Sequence, residues 1–128
     1  MKKFEGKVAL VTGAASKQSM GRAIAIHLAK LGADVVVSDK FIVPPTIRVE
    51  DSDWRGLDQV VEDIQDFGCR GLAVACDIAV EEDCRNLVEK TMEHFGRIDF
   101  FINCAGFRGP CPVSVIDLDP ADWKKVLD

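Results

Sequence analysis

Two glycines bracket a stretch rich in small and hydroxyl residues: Thr12-Gly13-Ala14-Ala15-Ser16-Lys17-Gln18-Ser19-Met20-Gly21-Arg22. It leaves a β-branched run and enters a helical pattern. Such a turn can present free backbone N–H groups at a helix N-terminus to a pyrophosphate. Gly13 lets the chain turn tightly out of the strand. Gly21 lets the following helix pack closely on the sheet. Ser16 and Ser19 add hydroxyl donors, and the helix begins at about Gly21. An ordinary strand-to-helix loop has a similar composition, because the usual middle glycine is missing and the spacing is stretched. Three further places add chemistry. Asp39 closes the second apolar run, where a carboxylate can accept from ribose hydroxyls and repel a 2′-phosphate. Asp77-Ile78 follows the third run. Asn103-Cys104-Ala105-Gly106 follows the fourth, with small residues that allow close approach to a ligand.

Strands must carry these residues. Lys7-Val8-Ala9-Leu10-Val11 reads as a buried strand, and Val35-Val36-Val37 as the second. Gly71-Leu72-Ala73-Val74-Ala75 is the third, and Ile98-Asp99-Phe100-Phe101-Ile102 the fourth. Between them lie helical patterns. Ile24, Leu28 and Leu31 mark the first, stopped by Gly32. Leu57, Val60, Val61, Ile64 and Phe67 mark the second, ahead of Gly68. Cys84, Leu87, Val88, Thr91 and Phe95 give the third its inner face, ended by Gly96. Asp119-Pro120-Ala121-Asp122 announces a fourth helix, with a cap, a proline suited to the first position and an acid at the positive end. Residues 40–53, with Pro44-Pro45, read as an irregular surface insertion. Apolar strands alternating with helices predict an α/β, doubly wound parallel sheet of the Rossmann-like kind. All four groups of candidate residues then fall at carboxyl ends of parallel strands, where ligands bind in such sheets.

The chain has 128 residues, 48% hydrophobic and 29% charged, enough for a core and against disorder. The net charge of −5 and the lack of a basic stripe argue against a nucleic-acid partner. No apolar run approaches membrane-spanning length, and the first residues carry no signal-peptide core, so cytoplasmic residence is the expectation. Cys69, Cys76, Cys84, Cys104 and Cys111 form no Cys-x-x-Cys pair and give no metal-ligand spacing; reduced core thiols are expected.

The ordered set of pieces resembles the short-chain dehydrogenase/reductase family over essentially the whole length. The pieces are the Thr12-Gly13…Gly21 loop, Asp39, Asp77-Ile78, His94-Phe95-Gly96-Arg97-Ile98-Asp99, Asn103-Cys104-Ala105-Gly106 and Asp119-Pro120-Ala121-Asp122-Trp123. The resemblance implies cofactor-binding roles for Gly13, Ser16, Ser19, Met20, Gly21, Asp39, Asp77, Ile78, Asn103, Ala105 and Gly106. It implies an NAD(P)-dependent oxidoreductase acting on an alcohol or ketone and, in the complete protein, a homo-oligomer. Three departures stand out. Ser19 replaces the middle glycine in a loop two residues longer than usual, which looks more like the enoyl-thioester reductase branch. Cys104 replaces the usual second asparagine of Asn-Asn-Ala-Gly. Residues 40–53 are a longer insertion than usual.

Asp39 favours NAD over NADP, although Lys17 and Lys40 place cations where a 2′-phosphate would lie. The family's Tyr-x-x-x-Lys acid/base is absent: the sequence contains no tyrosine. His27 and His94 read as helix-surface residues and Ser114 has no base beside it, so no catalytic residue is assigned. The expectation is the first, cofactor-binding half of the fold, truncated, with the catalytic half absent. The alternatives are an enoyl-thioester reductase relative, a non-catalytic nucleotide-binding module and, disfavoured by Asn103-Cys104-Ala105-Gly106, a methyltransferase.

Overall fold

The computed structural model describes residues 1–107 and 113–127. Strands β1 (Val8–Thr12), β2 (Asp34–Asp39), β3 (Gly71–Ala75) and β4 (Phe100–Asn103) alternate with helices α1 (Met20–Lys30), α2 (Leu57–Gln65) and α3 (Glu81–Phe95). A fourth helix, α4 (Pro120–Leu127), follows β4. Every pairing is parallel and the strand order is β3-β2-β1-β4. From β1 the chain steps outward to β2 and β3, then returns to the other side for β4. The loops leaving β1 and β4 therefore part at a topological switch point, the usual ligand crevice of such sheets.

The central strands β1 and β2 read as continuous apolar runs because both their faces are covered. Ala9, Val11, Val35 and Val37 share one buried cluster with Ala25 and Ala29 of α1 and Leu57, Val60 and Ile64 of α2. Leu10, Val36 and Val74 point the other way and meet Leu87 of α3. The alternation along β1 and β2 is the period of a strand. Helix ends are set as the sequence suggests. The Ser19 side chain accepts from the Arg22 N–H at 3.2 Å and caps α1. At the end of α3, Gly96 takes φ 71°. Asp119 accepts from the Ala121 N–H at 2.8 Å at the start of α4.

Two expectations need correction. Val88 is exposed rather than on the inner face of α3. The buried seam is Leu87 and Thr91, and Val88 lies one residue, about 100°, around the helix. Thr91 is accommodated there because its hydroxyl donates to the Leu87 carbonyl at 2.8 Å. The fourth strand starts at Phe100 rather than Ile98. Ile98 packs on the α3-side cluster, and the Asp99 carboxylate instead accepts from the Val8 N–H at 2.9 Å, tying β4 to the start of β1. Phe100 is half-buried against Phe4, with ring centroids 5.0 Å apart, while Phe101 is 64% exposed.

The insertion is irregular and mostly exposed, apart from a 3₁₀ turn, Val49–Asp51, and two buried side chains anchor its far end. Asp51 and Trp54 are each only 8% exposed. The segment runs on to Gly56, where the Leu57 N–H closes its base on the Ile42 carbonyl at 2.8 Å. A buried indole needs an acceptor for its N–H. Trp54 finds one in the Ala15 carbonyl, 2.8 Å away in the loop after β1. Of the cysteines, Cys76 is buried and Cys69, Cys84 and Cys104 are half-buried free thiols; Cys111 lies outside the described residues.

Candidate cofactor-binding site

The loop between β1 and α1 is shaped by two glycines with different reasons. Gly13 has φ 72°, and a Cβ there would lie 2.6 Å from the Cys104 carbonyl group. Gly21 is buried in the first turn of α1, and a Cβ there would lie 2.5 Å from the Gly13 carbonyl oxygen. One glycine brings the loop against the end of β4; the other brings the helix against the loop. The first N–H groups of a helix have no partner within it. Here Ser19 takes the Arg22 N–H through its side chain and the Ala23 N–H through its carbonyl. The N–H groups of Met20 and Gly21, the first two helical residues, have no partner among the described residues. Ser19 thus stands where a glycine is usual and serves as cap, with its hydroxyl hydrogen still free to donate. Ser16 is exposed on the same loop.

Asp39 is tied into this loop. Its carboxylate accepts from the Ala15 N–H at 3.0 Å and from the Lys40 N–H at 2.8 Å. Its carbonyl accepts from the Cys76 N–H at 2.8 Å, which locks the end of β2 to the end of β3. The two lysines that could answer a 2′-phosphate are both engaged. The Lys40 ammonium lies 3.2 Å from Asp77, and the Lys17 ammonium 2.7 Å from Asp51. Asp51 raises the Lys17 pKa, first by its hydrogen bond and then by its charge. The Asp77 carboxyl is held below the usual carboxylate range, first by the Ala79 N–H and then by Lys40.

On the other side of β1, Asn103 accepts from the Thr12 hydroxyl at 2.7 Å, and the same hydroxyl accepts from the Ala105 N–H at 3.2 Å. Thr12 therefore pins the Asn103–Ala105 segment to the end of β1. A Cβ on Gly106 would meet nothing within 4 Å. Protein packing does not demand a glycine there, and the space beside it is open.

Two hollows open beside these residues, and Asp39, Gly13, Met20, Gly21 and Asn103 line neither of them. One, of about 410 Å³, lies between the β1–α1 loop and the insertion, with Ser16, Lys17, Ser19, Asp51 and Trp54 on its walls. The other, of about 650 Å³, brings Asp77 and Ile78 from the end of β3 to face Ala105, Gly106 and Phe107 beyond β4. The Ile78 side chain is exposed there, an apolar surface suited to a flat ring. Burial pushes the Cys76 thiol on this wall up to about 11, so it stays protonated at neutral pH.

That arrangement can hold an extended ligand with an anionic middle and a hydroxyl-bearing sugar, laid across the switch point. Known proteins share the fold that carries it. The family model described as "Enoyl-(Acyl carrier protein) reductase" matches residues 13–128. The chain belongs to the short-chain dehydrogenase/reductase family. Glucose 1-dehydrogenase 2 of Bacillus subtilis is 32% identical over 127 residues, covering 99% of this chain and 44% of that protein. Among solved structures, carveol dehydrogenase from Mycobacterium avium in complex with NAD superposes with a TM-score of 0.82 at 26% identity, covering 99% of this chain and 45% of that one. The 3-ketoacyl-(acyl-carrier-protein) reductase from Brucella melitensis complexed with NADH gives a TM-score of 0.79 at 34% identity, over 98% and 44%. The chain thus spans less than half the length of these short-chain dehydrogenase/reductase relatives.

Sequence reasoning missed Thr12, Asp51 and Trp54. Thr12 could have been found from its position as the last residue of a buried strand, where a hydroxyl needs a partner. Trp54 carried a signal in plain view, a large aromatic in an otherwise charged segment, Asp51-Ser52-Asp53-Trp54-Arg55. Asp51 carried none. His27 and His94 fall in the last turns of α1 and α3, away from these hollows. Ser114 caps a 3₁₀ turn by accepting from the Ile116 N–H at 3.4 Å. Among the described residues no group of three His, Cys, Asp or Glu could hold a metal ion, and no helix is long and apolar enough to cross a membrane.

Proposed function

We propose that this chain binds NAD(H) as the cofactor half of a dehydrogenase/reductase that transfers hydride between an alcohol and a ketone. The observation that carries the reading is the clamped Asp39 carboxylate. It stands where a ribose diol would meet it, and both nearby lysines are neutralised by Asp51 and Asp77. A 2′-phosphate would meet one carboxylate and no unpaired ammonium among these residues, a costly arrangement. The NAD and NADH bound in the two solved relatives point the same way.

In this reading Met20 and Gly21 offer their amides, and Ser16 and Ser19 their hydroxyls, to the pyrophosphate. Gly13 gives the phosphates close approach. Asp39 holds the adenosine ribose. Asp77 and Ile78 flank the adenine. Asn103, Ala105 and Gly106 border the nicotinamide ribose. NAD supplies the hydride acceptor; this chain's residues bind and orient it. No residue here is assigned to the proton transfer that hydride chemistry requires.

Calorimetric titration tests this directly. NADH should bind at least about tenfold more tightly than NADPH, a gap of about 1.4 kcal/mol. S-adenosylmethionine should not bind. Tighter binding of NADPH, or binding of S-adenosylmethionine alone, refutes the reading. A second reading, reduction of an enoyl thioester, draws on the long Ser19-Met20-Gly21 loop and on the description of the matching family model. Sequencing the gene past the codon for Asp128 separates the two by the spacing of any tyrosine and lysine encoded there.

A further inference from the structure

The insertion between β2 and α2 grips the phosphate-binding loop at three points. Trp54 Nε1 donates to the Ala15 carbonyl at 2.8 Å, across 39 residues of sequence. Asp51 holds Lys17 at 2.7 Å. Arg22 stacks on the Trp54 ring, 5.1 Å from guanidinium carbon to centroid, and donates to the Lys17 carbonyl at 3.2 Å. The Trp54 contact is the one with a direction. A peptide group is planar and trans, so its C=O and N–H point opposite ways. Pinning the Ala15 carbonyl on the indole aims the Ser16 N–H away from it. The Ala15 N–H is separately held by Asp39 at 3.0 Å, so the backbone is fixed on both sides of this one residue. Among the described residues nothing accepts the Ser16 N–H, and Ser16 is exposed. It stands ready in the same loop as the free amides of Met20 and Gly21.

We propose that Trp54 is a positioning residue for pyrophosphate recognition, the insertion acting as a strap that orients the Ser16 amide. The inference rests on the dinucleotide reading above and adds a residue to it. It also accounts for the stretched loop. Two extra residues and a serine in place of the middle glycine leave the loop backbone underdetermined by its own sequence. An external hydrogen bond removes that freedom. A free loop would have to be ordered when the ligand binds, at a cost in backbone entropy.

The discriminating pair of ligands is ADP, which has the pyrophosphate, and adenosine, which does not. Trp54→Phe keeps an aromatic ring under Arg22 and deletes the N–H. It should weaken ADP two- to tenfold, the scale of one neutral hydrogen bond, and leave adenosine unchanged. A purely structural Trp54 would lower the melting temperature and weaken both ligands alike, or neither, and either result overturns the proposal. If wild type binds neither ADP nor adenosine, the dinucleotide reading itself has failed, a different outcome. Should Trp54→Phe not fold, the sulfur isostere of tryptophan, incorporated in a Trp123→Phe background, deletes the donor at constant shape, and the same ADP-against-adenosine comparison decides.

Discussion

Asp39, at the end of β2, and Gly106, beyond the end of β4, lie at the same edge of the sheet in opposite conditions. Asp39 is held by the Ala15 and Lys40 N–H groups, and its carbonyl fastens the end of β3. Behind it Val35, Val36 and Val37 are fully buried. Gly106 has open space around it, and β4 behind it alternates half-buried and exposed. Thr12 alone ties the segment to the core, through Asn103 and Ala105. The Asp39 side of the candidate site is thus rigid by construction. The β4 side is lined by residues whose outer faces are open, including Phe107 and the α4 residues Lys124 and Val126. Fixed backbone groups suit an invariant ligand part such as a pyrophosphate and ribose. An open wall suits the end of the ligand where chemistry and selectivity vary.

The sharpest way to break this contrast is to add one methyl group at each end. Gly13→Ala must adopt φ 72° and push against the Cys104 carbonyl group at 2.6 Å. Gly21→Ala meets the Gly13 carbonyl oxygen at 2.5 Å. Both contacts are backbone on backbone, so neither can be relieved by a side-chain rotation. Each should cost at least about 2 kcal/mol of stability and abolish ADP binding. Gly106→Ala has no positive φ and no neighbour, and should melt within about 0.5 kcal/mol of wild type. Denaturant melts of the three variants decide it. A Gly106→Ala loss as large as that of Gly13→Ala would mean that the two ends are equally constrained.

A second comparison cuts the core rather than the edge. Leu57 is fully buried between α2 and the sheet, and Leu57→Ala should lose about 2–5 kcal/mol. Phe101 is larger but 64% exposed, and Phe101→Ser should change stability by less than about 0.5 kcal/mol while reducing self-association. Urea unfolding checks the first claim and light scattering the second. If Phe101→Ser proved as damaging as Leu57→Ala, β4 would be a core strand in solution, not an open edge.

The same contrast explains what could be read from the sequence. Strands and helices of the rigid side were legible because burial on both faces writes unbroken apolar runs, as in Val35-Val36-Val37, and glycine stops write the helix ends. The parallel order and the Gly13, Asp39 and Asn103 positions followed from those runs. Val88 was misplaced because it neighbours Leu87, and a difference of one residue on a helix is invisible to a short apolar pattern. The start of β4 was misread because Ile98 is apolar for a different reason: it packs on the α3-side cluster. The strap was illegible for a deeper reason. Trp54–Ala15 and Lys17–Asp51 are single contacts between residues 39 and 34 positions apart, in segments with no periodicity to align them.

The mildest test uses acid. Asp77 and Asp99 both have carboxyl groups held below the ordinary range, Asp77 chiefly by the Ala79 N–H and Asp99 chiefly by Arg97, with the Val8 N–H next. Each binds its proton more weakly folded than unfolded. Their stabilisation is therefore present above the unfolded value of about 3.9 and is lost as pH falls through the lower folded values. Melting temperature should be level down to about pH 4.5 and decline below it. The two carboxylates serve different regions: Asp77 joins Lys40 beside the rigid end, and Asp99 fastens β4 to β1. Asp99→Asn keeps an oxygen for the Val8 N–H but drops the charge facing Arg97, and should flatten part of the acid decline. Glu62→Gln removes an exposed pair with Arg55 on α2, of the kind that contributes little, and should leave the decline in place. If Glu62→Gln flattens the curve and Asp99→Asn does not, the acid sensitivity lies on the helix surface rather than in the tie that holds the open strand to the sheet.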